Sequence, residues 1–118
     1  MVQKSTILTP IDKSGALSVN LFHIYGGRKK EAVVGDFIKV SVRDVLPNSR
    51  ARKKKKYVSI FIRSKFKYVK MDGSIIYSDG NFNVLLKKRL TPLGKEIHGP
   101  IYKNIRRKKF LASFAGVL

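Results

Sequence analysis

The chain has no cysteine and only two histidines, His23 and His98, in 118 residues. The first absence removes disulfides, thiolate catalysis and zinc–cysteine sites together. The second leaves little for a metal centre, because neither histidine has a neighbour at metal-ligand spacing, and His23, inside a predicted strand, reads as structural. Acidic residues are scarce, 7 against 26 Lys and Arg. Of these, Asp12, Asp36, Asp72 and Asp79 lie in turns or beside glycine, where carboxylates cap backbone amides. There is no Walker loop, nucleophile elbow or paired-carboxylate motif. No enzymatic activity, cofactor or metal is therefore expected. A long apolar span and an amphipathic anchor helix are also missing, so no membrane partner is expected. Met1-Val2-Gln3-Lys4 leads into strand-like sequence without an apolar signal core or an Arg/Ser-rich presequence.

What is present is an ordinary hydrophobic content, 43%, carrying an extreme formal charge of +19. The first fits one globular domain over 1–118 with a single modest core. The second makes a compact chain repel itself, so a polyanion, with nucleic acid the obvious one, belongs to its working state.

The hydrophobic period is mostly two, which predicts a β body. Strands are expected over Thr6 to Ile11, Ala16 to Tyr25, Ile38 to Arg43 and Tyr57 to Ser64. In the second, Leu17, Val19, Leu21 and His23 are predicted to share one face, and Ser18, Asn20, Phe22 and Ile24 the other. In the third, Ile38, Val40 and Val42 alternate with Lys39, Ser41 and Arg43. In the fourth, Val58, Ile60 and Ile62 face one way, and Ser59, Phe61 and Arg63 the other. Phe66 to Met71 and Ser74 to Ser78 flank Asp72-Gly73 as a two-stranded ribbon. The fold class is mainly β: a small five-stranded antiparallel barrel of the OB or SH3-like type, with a projecting ribbon and short C-terminal helices over 102–106 and 107–114.

Cations mark the candidate site. Arg50, Arg52, Lys53, Lys54, Lys55 and Lys56 put six charges into seven residues, a loop that must sit in solvent or against phosphate. A solubilising loop is the plainer reading, and the charge of the whole chain weighs against it. Arg63, Lys65, Lys67 and Lys70 alternate with Phe66, Tyr68 and Val69. That spacing predicts a cationic edge along an RNA backbone, with the aromatics opposite, more often core than base-stacking. Lys39 and Arg43 occupy the polar face of their strand. Arg28-Lys29-Lys30, Lys87-Lys88-Arg89 and Arg106-Arg107-Lys108-Lys109 are three further clusters beside turns or helix ends. None spells a base-reading motif, so recognition by backbone and shape is expected.

Residues Asp72 to Leu86 read Asp-Gly-Ser-Ile-Ile-Tyr-Ser-Asp-Gly-Asn-Phe-Asn-Val-Leu-Leu. Physically this is two Asp-Gly turns, each with a residue tolerant of positive φ, around short strands. The string resembles the signature of the universal large-subunit ribosomal protein L-fourteen family. Asp12-Lys13-Ser14-Gly15-Ala16 is similar to the family's Asp-Asn-Ser-Gly-Ala turn, and Gly35-Asp36-Phe37-Ile38-Lys39-Val40 to its Gly-Asp-x-Ile-x-Val strand entry. Pro92-Leu93-Gly94, Gly99-Pro100 and Lys109-Phe110 match further landmarks, so the resemblance covers nearly the whole chain. Two departures stand out. Lys95-Glu96-Ile97-His98 replaces Thr-Arg-Ile-Phe, reversing a charge, and Ala112 to Leu118 is shorter than the family's usual ending. Lys54-Lys55 stand where the family usually has Gly-Asp, which makes a basic loop more basic.

The resemblance implies a structural constituent of the large ribosomal subunit that binds large-subunit rRNA at the subunit interface and helps bridge to small-subunit rRNA. It also implies neighbouring proteins of the L-three and L-nineteen types and, in bacterial and mitochondrial relatives, a ribosome-silencing factor at the C-terminal end. Asn48, Ser49, Lys95, Glu96 and His98 are the candidate partner contacts, within the Pro47 to Lys56 loop and the Gly94 to Pro100 region. The alternative is a free OB-type RNA-binding module such as a translation factor; a small nuclease is the third reading. Usage heavy in Ile, Phe, Tyr, Lys and Asn resembles that of an AT-rich organellar genome. It points to a protist mitochondrion, with a plastid or the bacterial cytoplasm as alternatives.

Overall fold

The computed structural model describes residues 2–26, 30–48, 51–87, 93–94, 99–101 and 116–117. Five strands close a barrel: β2 (Ile7–Pro10), β3 (Ala16–Ile24), β5 (Phe37–Val45), β6 (Lys56–Arg63) and β9 (Phe82–Leu85), in the order β2-β3-β5-β6-β9. Four seams are antiparallel. The fifth, β2 against β9, is parallel, so the barrel is mixed where an all-antiparallel one is predicted. Pro10 is tolerated there because the β2 donors to this seam are its neighbours. Thr9 N–H bonds Asn81 O (3.2 Å) and Ile11 N–H bonds Asn83 O (3.1 Å), while β2 pairs with β3 only at Ile7 and Leu8.

Alternation sets the β5 wall without interruption: Ile38, Val40 and Val42 point into the barrel and Lys39 and Ser41 lie half-buried on the outside. Strand β3 departs from its predicted faces. Register shifts against β5 between Ala16 and Val19, and again between Leu21 and His23, leave Ala16, Val19, Leu21 and Ile24 buried. Leu17 and His23 are consequently outside, contrary to the simple two-residue period, because each bulge inserts a residue that flips the side chains beyond it. Strand β6 is buried on both faces. Phe61 joins Leu8, Leu21, Ile38, Val40 and Leu85 in the barrel interior. Ile60 and Ile62 join Ile11, Val84 and Leu86 in a second cluster on the other side of the β6–β9 wall. Within that wall the buried Asn83 amide donates to Ser59 Oγ (2.6 Å), which donates on to Val84 O (2.8 Å).

Three small sheets flank the barrel. Strands β1 (Val2–Gln3) and β4 (Glu31–Ala32), not foreseen in the sequence, pair antiparallel and add Val2 and Ala32 to the barrel core. The expected ribbon is the antiparallel pair β7 (Tyr68–Val69) and β8 (Ile75–Ile76). Strands β10 (Pro100–Ile101) and β11 (Gly116–Val117) pair parallel. The helices predicted over 102–106 and 107–114 lie outside the described residues.

Candidate nucleic-acid interface

The turn after β2 positions the basic loop. Within Asp12-Lys13-Ser14-Gly15, the Ser14 hydroxyl donates to Asp12 Oδ1 (2.8 Å), and Gly15 takes φ 89°. The carbonyls of Gly15 and Ser14 then accept Leu46 N–H (2.8 Å) and Ala51 N–H (3.1 Å). The loop between β5 and β6 is thus tied down at its start and again in mid-course, where Ala51 enters the core. Asp12 Oδ2 also accepts Gly94 N–H (3.4 Å), and Leu93 N–H bonds Leu85 O (2.8 Å). Gly94 must be glycine for space: a Cβ there would meet the backbone nitrogens of Lys13 and Ser14 at 2.5 and 2.7 Å. Asp12 is only 7% exposed. Burial pushes its carboxyl above the ordinary 3.8, against the opposing pull of its hydrogen bonds from Ser14 and Gly94.

Beyond Ala51 the chain turns through Arg52 to Lys55, closed by Lys55 N–H to Arg52 O (3.3 Å) and by Lys54 N–H to Val42 O (2.9 Å). Lys54 adopts φ 65° and Asn48 φ 60°, left-handed backbone that favours glycine. Arg52, Lys53, Lys54, Lys55 and Lys56 are all exposed, as is Asn48. The loop therefore displays its charge from a backbone held at several points.

These cations continue onto the outer wall of β3, β5 and β6. Lys39 lies between His23 and Val58, and Ser41 between Asn20 and Lys56. Arg43 is exposed further along β5. Lys56 Nζ sits 5.4 Å from the centroid of the Phe22 ring, and His23 and Tyr25 meet edge to face at 5.0 Å. Phe22, His23 and Tyr25 are thus exposed aromatics interleaved with cations, an arrangement suited to phosphate and base contact. The sequence reading gave none of the three a role: a two-residue period already sets Phe22 opposite the buried Leu21, whereas His23 and Tyr25 are turned outward by a β3 bulge that leaves no mark in residue type.

At the β6 end of this wall, Lys39, Lys55, Lys56 and Lys87 rim a cleft of about 360 Å³. Its more buried lining is apolar: Tyr57, Val58, Leu86 and Leu93. Arg52 N–H donates to the Tyr57 hydroxyl (3.3 Å), and Lys55 Nζ lies 5.2 Å from the Tyr57 ring centroid.

The other cationic edge differs from its prediction. Strand β6 ends at Arg63, Ser64 is buried, and Lys65 and Phe66 form a bend, so residues 63, 65 and 67 do not line one strand face. The Ser64 hydroxyl accepts Phe66 N–H (3.0 Å), a local bond that competes with the ladder, and Asn81 Oδ1 accepts Lys65 N–H (3.1 Å) from across the fold. The half-buried Arg63 guanidinium lies 4.7 Å from the Phe82 ring centroid. Gly99, at φ 81°, covers it so closely that a Cβ would collide with the guanidinium. Lys65 and Lys67 are exposed and Lys70 half-buried. Phe66 is 58% exposed, not core, and Val69, Met71, Ile75 and Tyr77 are exposed on the same ribbon.

The Asp72 to Leu86 string supplies scaffold. Asp72 Oδ1 accepts Ser74 N–H (2.9 Å), and this bonding holds its carboxyl below the ordinary range. Gly73 takes φ 89° as predicted. Gly80 does not adopt a left-handed φ; a Cβ there would come within 2.8 Å of the far edge of the Phe82 ring, so a larger residue requires that ring to shift. Lys30 and Lys87 are exposed beside β4 and β9. Arg28, Lys29, Ser49, Arg50, Lys88, Arg89, Lys95, Glu96, His98, Arg106, Arg107, Lys108 and Lys109 lie outside the described residues. Among the described residues no three of His, Cys, Asp and Glu converge as a metal site would need.

Residues 1–116 match the family model described as ribosomal protein L14p/L23e. A curated relative from Tetrahymena pyriformis, named large ribosomal subunit protein uL14m, is 48% identical over 117 residues, 98% of each chain. With nearly full-length matches on both counts, the chain belongs to the ribosomal protein L14p/L23e family, as one of its mitochondrial members.

Proposed function

We propose that this protein is a structural constituent of the mitochondrial large ribosomal subunit and holds large-subunit rRNA by backbone and shape at the subunit interface. The observation that carries the rRNA contact is the outer wall with its loop, where eight cations face one acid between Lys39 and Lys56. Lysines present point charges suited to phosphate and carry little base specificity. Their anchoring to the Asp12 turn fixes where that charge sits. The Pro47 to Lys56 loop, which exposes Asn48, and the Gly94 to Pro100 region are the segments assigned to the bridge with small-subunit rRNA.

The ribbon serves a different contact. Val69, Met71, Ile75 and Tyr77 are exposed together on this small ribbon, which fits a protein neighbour. Large-subunit proteins of the L-three and L-nineteen types are the neighbours proposed. Sedimentation of mitochondrial large subunits through sucrose gradients of rising salt tests the reading. The protein is expected to stay with the particle after moderate-salt washing. Its release there, as a free RNA-binding module would behave, refutes the assignment.

A further inference from the structure

We propose that the lysine-rimmed cleft at the β6 end of the outer wall is a seat for a single nucleotide. Its base would lie on Tyr57 and Leu93, and its phosphate on Lys39 and Lys87; the inference rests on the RNA-binding reading above. A wall that only tracks a phosphate backbone needs cations and no apolar recess. Here the recess exists, and at about 360 Å³ it falls at the small end of ligand pockets, which run from about 300 to 1,000 Å³. That is room for one unit of a strand, not for a helix.

The lining divides by chemistry as a nucleotide does. Tyr57, Val58 and Leu93 offer an apolar and partly aromatic surface to a planar base. The lysines come from separate places in the fold: Lys39 from mid-β5, Lys55 from the loop end and Lys87 from beyond β9. The site is also preorganised. The Tyr57 hydroxyl is held by Arg52 N–H, Leu93 is held by Leu85 O, and β5, β6 and β9 are barrel strands. An unpaired base turned out of rRNA and a free mononucleotide share this chemistry.

The test uses the full 118-residue chain, labelled for NMR and titrated at fixed ionic strength with uridine or guanosine monophosphate, inorganic phosphate, a short single-stranded oligoribonucleotide and the same strand in a duplex. The amide signals of Tyr57, Val58 and Leu93, on the base side of the cleft, are expected to move with the single strand and not with inorganic phosphate. Saturation by the mononucleotide as well points to a free nucleotide, whereas saturation by the strand alone points to an extruded base. A double variant, Lys39→Gln with Lys87→Gln, is expected to lose about tenfold in single-strand affinity. The charge-matched Lys4→Gln with Lys13→Gln, at exposed lysines outside the proposed RNA contacts, loses much less. Equal losses for the two variants, equal shifts from inorganic phosphate, or equal binding of the duplex overturns the inference. If RNA still binds with a steep salt dependence while the cleft signals stay still, the cleft is refuted and the rRNA reading survives.

Discussion

Replacing Asp12 separates a hydrogen-bonding role from a charge. Its two oxygens each hold one donor, the Ser14 hydroxyl at 2.8 Å and Gly94 N–H at 3.4 Å, in a site only 7% exposed. Asp12→Ala strands both donors, and a buried donor left unpaired costs about 1–3 kcal/mol. With the longer Gly94 bond contributing less, about 2 kcal/mol in total is expected, or roughly 8 °C in Tm at about 4 °C per kcal/mol. Asp12→Asn keeps an acceptor for Gly94 and can donate to Ser14 Oγ, so it should stay within about 1 kcal/mol of the parent at neutral pH. The pH dependence carries a definite sign. Burial raises the folded carboxyl above 3.8, so between that value and the raised one the folded state binds more protons than the unfolded state. This group's contribution is therefore complete below the unfolded value and is lost as pH rises through the folded one. Asp12→Asn, which cannot ionise, should gain on the parent as pH rises through that window. Thermal melts of the three proteins across pH 4 to 8 decide the matter. An Asn variant as unstable as the Ala variant, with no change in its offset from the parent with pH, refutes the reasoning.

Three other substitutions address the core, the loop and the ribbon. Phe61→Ala empties the barrel centre and should cost about 3–5 kcal/mol, a large part of the total stability of such a domain, read as a lowered denaturant midpoint. Lys54→Gly relieves a left-handed backbone worth about 1 kcal/mol and removes one cation. Tm should rise while RNA affinity falls, with the salt slope shallower by about 0.7 to 0.9 if that lysine meets a phosphate. Val69→Ser with Ile75→Ser, on exposed ribbon positions, should change stability by less than about 0.5 kcal/mol yet reduce incorporation into large subunits in a pull-down competition with the parent. Equal incorporation would remove the ribbon as a protein contact.

How much of this was legible in the sequence depended on whether neighbours along the chain or across the fold decided the outcome. Strand β5 was legible because Ile38, Val40 and Val42 alternate without a bulge. The Asp12, Gly35-Asp36 and Asp72 turns were legible because their bonding is local: Val33 N–H to Asp36 Oδ2 at 3.0 Å spans three residues, and Ser74 N–H to Asp72 spans two. Asp12 also bonds Gly94 across 82 residues, and turn chemistry carries no trace of that. The exposure of His23 was hidden for a similar reason, since a bulge arises from the fit of β3 against β5 and not from β3 alone.

The division between scaffold and site follows from the same distinction. Residues that identify the family most sharply, Gly35-Asp36, Asp72-Gly73 and Gly94, are engaged in turns or close backbone approaches, where few residue types fit. The residues proposed to meet RNA need only positive charge at the surface, a requirement met by many lysine placements. A lysine run such as Arg52 to Lys56 can therefore vary in length without disturbing the turns that hold it. What constrains such a run is backbone geometry: Lys54 accepts a left-handed conformation that a glycine would occupy without strain. The added charge is thus set against a local conformational cost, and Lys54→Gly measures the two in opposite directions.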